Sequence, residues 1–534
     1  MLTHKLLAGT GISNMPSYWI ATLGGTGNDV AFSVAIDSSG NIIVAGYTTS
    51  SGSGGSDFLI AKYNSSGTLQ WQKTLGGTGM DEARSVAIDS SGNIIVAGYT
   101  TSSGSGGSDF LIAKYNSSGT LQWQKTLGGT LSDVAFSVAI DSSGNIIVAG
   151  YTASSGSGGN VVLIAKYNSS GTLQWQKTLG GTGNEIVYSF AIDSSDNIIV
   201  AGYIDDSTGS IDILIAKYNS SGSLLWQKTL IGTGSDNAQS VAIDSLDNII
   251  VAGYITYSNS NDFLIAKYNS SGSLLWQKAL GGRGNDQAYS VAIDSLDNII
   301  IAGSTDYDFL IAKYNSSGSL LWQKTLGGGG LGNNEFAYSV AIDSSNNIIV
   351  AGTSSGSGGS DFLIAKYNSS GTLLWQKTLG GTGSDVAYSV AIDSSNNIIV
   401  GGWTTSSGYG SNDVLISKYN SSGSLLWQKT LGGTGNDYAR SVAIDSSDNI
   451  IVAGSTDSSG SGGNDVLIAK YNPEVVSDGT YGAFIIQTSS LAYQASSLST
   501  GTPILTQITP TLTQSTPTLT QSISTLTETF TRFL

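Results

Sequence analysis

The 534-residue chain carries 22 Lys and Arg against 38 Asp and Glu, a formal charge of −16. It has no basic cluster of the kind that phosphate contacts need, which excludes nucleic acid as a partner. Cys is absent and the single His is His4, so disulfide scaffolds, thiol nucleophiles and Cys-ligated metal sites are excluded too.

Residues 1–17 form a lead in which the only apolar run is Leu6-Leu7-Ala8, shorter than the ~7–15 residues of a signal-peptide core. No signal peptide is visible, and no run approaches the ~20 apolar residues of a membrane-spanning segment. From Trp19 onward the chain repeats. Trp recurs at Trp71, Trp123, Trp175, Trp226, Trp276, Trp322, Trp375 and Trp427, 46 to 53 residues apart. A second marker, Ala-Ile-Asp, places Asp at Asp37, Asp89, Asp141, Asp193, Asp244, Asp294, Asp343, Asp393 and Asp445. Both count nine units of propeller-blade size.

Each unit holds four short strand signals. In the first, Val34–Asp37 is followed by a Ser-Ser-Gly-Asn turn and Ile42–Ala45, where Gly40 supplies the φ > 0 that a bulged hairpin turn requires. A Gly/Ser loop then leads to Asp57–Tyr63, and Asn64-Ser65-Ser66-Gly67 turns the chain into Leu69–Leu75. The second strand is continuously apolar, as a strand covered on both faces should be. A radial stack of four-stranded sheets meets that demand, so the expected fold is all-β, one closed nine-bladed propeller over residues 18–472. The repeat region opens with a lone fourth strand, Tyr18–Leu23, and closes with an unaccompanied third strand, Asp465–Asn472. Pairing the two would latch the ring.

The phrases VAIDSSGNIIVAG, DFLIAKYNSSGTLQW and LGGTG resemble β-propeller repeats of the SBBP type, over about residues 18–472. The resemblance implies a secreted or cell-surface module. It specifies fold far better than function, and nine copies depart from that family's commoner seven.

The order of strands puts the Asp-Ser-Ser-Gly-Asn and Asn-Ser-Ser-Gly turns on one face and the remaining loops on the other, the top. The loop entering each innermost strand carries a carboxylate: Asp29, Asp81, Asp133, Glu185, Asp236, Asp286, Glu335, Asp385 and Asp437. These would either ring the channel mouth as a weak divalent-cation or polyhydroxyl site, or brace their own loops by accepting backbone N–H groups. No other cofactor is called for. Two residues before Val-Ala-Ile the otherwise uniform copies differ: Phe32, Arg84, Phe136, Tyr188, Gln239, Tyr289, Tyr338, Tyr388 and Arg440. Such a collar suits a sugar ring, a peptide or a carboxylate, or else packs between blades. Tyr47, Tyr99, Tyr151, Tyr203, Tyr254 and Trp403, at the end of the second strand, read as packing. The Lys pair typified by Lys62 and Lys73 reads as a cross-strand arrangement neutralised by nearby Asp.

Eight Asn-Ser-Ser turns are formal glycosylation acceptors, at Asn64, Asn116, Asn168, Asn219, Asn269, Asn315, Asn368 and Asn420, although turn chemistry alone also selects those residues. Residues 473–499 make a short linker or docking segment. Residues 500–534 form a Thr/Ser/Pro-rich extended tail with Pro503, Pro510 and Pro517 seven apart, a stalk-like composition.

With no His in the repeats, no Ser–His or Cys–His pair can be assembled; carboxylate pairs remain open, but nine equivalent carboxylates single out no acid and base, so no catalytic residue is assigned. The expected function is a non-catalytic extracellular or cell-surface module binding a glycan, peptide or protein partner through the top loops. The alternatives are a self-assembling structural subunit of a surface layer or filament, and a carboxylate-based polysaccharide lyase or hydrolase.

Overall fold

A computed structural model describes residues 18–472 apart from some loop residues, together with Thr3–Ala8 and eight short strands between Gly479 and Thr529. Blade 1 comprises Asp29–Ile36, Ile42–Thr48, Asp57–Tyr63 and Leu69–Leu75, hydrogen-bonded in that order as an antiparallel meander. Eight further blades repeat the order, making a nine-bladed β-propeller. In blade 9 the fourth strand is Tyr18–Gly24, which pairs antiparallel with Asp465–Tyr471 from Tyr18↔Tyr471 to Leu23↔Val466. The ring is therefore latched by its own N-terminal strand, as the two unfinished ends required.

Period-two alternation explains how the blades stack. Ile43, Ala45, Phe58 and Ile60 of blade 1 pack on Ile94, Val96, Leu111 and Ala113 of blade 2, while Ile42, Val44, Leu59 and Ala61 face Ala21, Leu23, Val466 and Ile468 of blade 9. Both faces of the middle strands are dry, which is why their sequence is uninterruptedly apolar. Around the channel the innermost strands are tied side by side, as where the Val86 N–H donates to Ser33 Oγ (3.2 Å).

Near the bottom face, Trp427 lies tilted on Tyr471 and every other outer-strand Trp stacks on the third-strand Tyr of the following blade, for example Trp175 on Tyr218 with centroids 6.5 Å apart. Its indole N–H donates to the carbonyl of that blade's Asn-Ser-Ser turn, Ser220 at 3.1 Å. Gly222 of the same turn lies against the indole with φ near 80°, and a Cβ there would fall 2.5 Å from the Trp175 ring. The turn thus needs Gly for two reasons, backbone hand and close approach.

Beside each turn a Lys of the third strand meets the Asp of Ala-Ile-Asp in a buried ion pair, from 2.7 Å for Lys217–Asp193 to 3.0 Å for Lys62–Asp37, in all nine blades. A further tie depends on the residue that takes φ > 0 in the first hairpin. Blades 1–3 use Gly40, Gly92 and Gly144, whereas blades 4–9 use Asp or Asn at φ near 60°. The side chain gained reaches the preceding blade: Ser142 donates its N–H and Oγ–H to Asp196 at 2.9 and 2.6 Å.

The Thr-rich tail is laid along the rim instead of projecting as a stalk. Its strands add a fifth, antiparallel strand to blades 8, 7, 6, 5, 4, 3 and 2 in turn. The residues opposite the last Leu of each outer strand are Ile486, Tyr493, Thr500, Gln507, Gln514, Gln521 and Glu528. They are seven apart throughout, so one heptad spans one blade, and the rhythm runs unbroken through residue 500. Thr3–Ala8 supplies the corresponding strand to blade 9.

Candidate functional site: an aromatic collar on nine bulges

The variable collar has a structural cause. In every blade the register between first and second strands slips by one residue, between Ala31 and Ser33 in blade 1 and at the same point in the other eight. The extra residue is Phe32, Arg84, Phe136, Tyr188, Gln239, Tyr289, Tyr338, Tyr388 or Arg440. A bulge re-aims the side chain it inserts and frees it from the ladder. All nine collar residues are exposed or half-buried, in contrast to the dry strands behind them.

The aromatic and arginine side chains of the collar are braced from behind or from the side. Phe32, Phe136 and Tyr188 pair with Tyr47, Tyr151 and Tyr203 at 5.7, 5.7 and 5.8 Å. Those tyrosines are half-buried packing groups, and burial, their first cause, raises their hydroxyl pKa values. In blades 6 and 7, where Ser304 and Thr353 replace the backing Tyr, the collar rings pack on one another in tilted pairs: Tyr289 against Tyr338 at 6.1 Å and Tyr338 against Tyr388 at 5.8 Å. Arg84 lies over Phe32 (4.7 Å) and Tyr99 (5.6 Å) and is bridged to Glu82 at 2.7 Å. Arg440 is exposed and lies 5.4 Å over Tyr438.

Two collar members escaped sequence reasoning. Phe336 stacks on Tyr338 at 5.9 Å, and Tyr438 accepts a hydrogen bond from Asn412 Nδ2 (2.6 Å). They occupy the position of Val30 in blade 1, whose variation between copies was the available signal.

The nine loop carboxylates do not open onto the channel mouth. Asp29, Asp81, Asp133, Glu185, Asp236, Asp286, Glu335, Asp385 and Asp437 are all 0% exposed. They lie beneath the top loops because they hold those loops. Asp29 Oδ2 accepts the Gly25 N–H at 2.9 Å and the Ser50 hydroxyl at 2.5 Å. Asp81, Asp133, Asp385 and Asp437 do the same with their own Gly and Ser. Among the described residues no three His, Cys, Asp or Glu gather as a metal site.

Across the blade seam a second buried carboxyl approaches the first. A Cβ on Gly24 would touch both Asp465 and Asp29, so the Gly of Leu-Gly-Gly leaves the room that two carboxyls occupy. Burial first, and the Asp29 charge second, push Asp465 up to about 7. Burial, then Asp385, takes Asp361 to about 6, and burial alone takes Asp262 to about 6. The native state holds these protons where the unfolded chain, titrating near ~3.9, has lost them. Stability from these groups is full below the unfolded value and is lost as pH rises through about 6 to 7. The melting temperature is therefore expected to rise by several degrees between pH 8 and pH 5 in calorimetry, and by less in Asp465→Asn; a curve flat over that range would contradict the assignment.

The Asn-Ser-Ser turns are occupied by their own chemistry. Asn64 Oδ1 accepts from Ser66 N, Ser66 Oγ and Thr68 N at 3.1, 2.8 and 2.8 Å. The pattern recurs at Asn116, Asn168, Asn219, Asn269, Asn315, Asn368 and Asn420.

Fold and collar together define a propeller repeat protein whose blades are uniform except where they face the channel. Known families agree. The family described as outer membrane protein assembly factor BamB matches residues 159–386 and 261–507. A β-propeller domain of unknown function matches residues 38–69, 90–121 and 142–173, and the SBBP β-propeller repeat matches 70–104. The first of these models spans more than half of the chain, which therefore belongs to that β-propeller family; the SBBP repeat and the domain of unknown function match shorter stretches of the same ring.

Among curated relatives, an uncharacterized WD repeat-containing protein of Acanthamoeba polyphaga mimivirus is 24% identical over 351 residues, covering 45% of this chain and 25% of the relative. The regulatory protein FlaEY of Caulobacter vibrioides is 31% identical over 110 residues, covering 18% and 12%. The chain thus spans a quarter or less of either relative. Among solved structures, that of Sqt1 from Chaetomium thermophilum is similar with a TM-score of 0.44 and 9% identity, covering 89% of this chain and 100% of that one.

Proposed function

We propose that the protein is a non-catalytic interaction module of the cell exterior that holds an acidic glycan chain at the collar of its channel. One observation carries the reading: nine nearly identical blades diverge at the bulged residue that each presents to the channel. Bulge positions supply six aromatic rings and two arginines. Ring faces stack on sugars, and a guanidinium forks onto a carboxylate or sulfate. Arg84 and Arg440 stand on the two blades flanking Phe32, while Tyr289, Tyr338 and Tyr388 form a continuous aromatic arc on blades 6–8. Placement outside the cell is supported by the SBBP resemblance and by the eight Asn-Ser-Ser turns.

The test is affinity electrophoresis and calorimetry with alginate as an acidic chain and dextran as a neutral one. Alginate should bind, and Tyr338→Ala and Arg440→Ala should each weaken it about tenfold, ~1.4 kcal/mol. Binding unchanged in both variants would remove the collar from the account. Unsaturated or reducing ends accumulating in the same mixtures would replace it with the polysaccharide-cleaving reading.

A further inference from the structure

The rim belt covers eight of the nine outer strands. Among the described residues only the outer strand of blade 1, Leu69–Leu75, has no fifth strand, and its sheet is the one four-stranded sheet. Side chains report the same difference. At the position of Thr74 the other blades are buried, between 0% exposed at Ala279 and 8% at Thr378, whereas Lys73 and Thr74 are exposed. Beside them lies a groove of about 460 Å³, bounded by Lys73, Thr74 and Leu75 on one side and by Gly119, Leu121 and Gln124 of blade 2 on the other. An edge strand with free N–H and C=O groups is a template for one more strand.

What fits this template is shown by its seven equivalents, each of which takes one tail heptad in the same antiparallel register. The heptads are interchangeable in register, so moving one from a ring to its neighbour conserves the pairs made. The last described strand of the belt, Thr527–Thr529, is held by three residue pairs, as few as any in the belt, and can lift without disturbing the others, which makes it a natural point of release. We propose that the open edge of blade 1 receives a tail heptad from a second copy of this chain, linking ring to ring by strand exchange. This site is separate from the collar and does not depend on the glycan reading.

The absence of Cys makes the test direct. A full-length chain carrying Thr74→Cys is mixed with one carrying Thr529→Cys, the tail residue that faces Thr126 in its own ring. Under mild oxidation a disulfide-linked pair of chains should form at least fivefold faster than when Ser66→Cys, on the bottom turn, replaces Thr74→Cys. Light scattering on the unsubstituted protein should show a mass above one chain that grows with concentration and falls in Thr74→Glu. A single chain carrying Thr126→Cys and Thr529→Cys should close its own disulfide, which establishes the belt; failure there overturns the precedent on which the exchange rests. Cross-linking no faster than the Ser66→Cys control, or a single-chain mass at every concentration, overturns the exchange itself.

Discussion

Lys217→Met is expected to cost about 3–5 kcal/mol in urea denaturation, because it leaves a buried carboxylate without its cation. Lys217 and Asp193 are each almost wholly buried and 2.7 Å apart, and Lys217 Nζ also donates to the Ser270 carbonyl of the next blade at 3.1 Å. Burial alone would raise the pKa of Asp193; hydrogen bonds from Lys217 and Asn197, with the Lys217 charge, outweigh it and hold the carboxyl below its ordinary value. A depressed pKa contributes stability above the unfolded value that is lost as pH falls through the folded one. The penalty of Lys217→Met should therefore shrink below about pH 4. Adding Asp193→Asn should restore part of the loss at neutral pH, since the amide keeps the turn and removes the charge. A loss under about 1 kcal/mol would mean that water reaches the pair and it behaves as a surface bridge.

The second large effect concerns the latch. Removing residues 1–24 from a 1–472 chain withdraws Trp19, Ala21 and Leu23 from the seam between blades 9 and 1 and Ile20 from the seam between blades 8 and 9, each at most 2% exposed. At ~1.5–3 kcal/mol for each large side chain, the loss is of the order of 6 kcal/mol before backbone hydrogen bonds are considered. It also turns Asp465–Tyr471, buried along its whole length, into an edge, so self-association should appear in size-exclusion chromatography. A circular permutant that places residues 18–24 after residue 472 through an Asn-Ser-Ser-Gly turn keeps every strand pair of an 18–472 chain and should fall within about 1 kcal/mol of that chain. If both chains lose stability equally, continuity of the chain and not closure of the ring is what matters.

The sequence of this protein determined its nine blades, the four strands in each and the latch between its ends, because each rests on local signals repeated nine times. A strand buried on both faces must read Ile-Ile-Val-Ala, a hairpin with φ > 0 must place Gly40 or a short polar side chain such as Asp196 at that point, and an unpaired strand at each end must find the other. The collar was also legible as nine positions at which near-identical copies disagree. What the tertiary structure alone decided lies in contacts between strands and between blades, which have no signature along the chain. Whether Asp29 faced the channel or its own loop depended on Ser50, 21 residues away, and on Asp465 at the opposite end of the repeats. Lys62 found Asp37 only because the third strand passes over the first hairpin. The seven-residue spacing of Pro503, Pro510 and Pro517 was visible as a rhythm, but that it steps from one blade edge to the next follows from strand edges that exist only once the ring has closed.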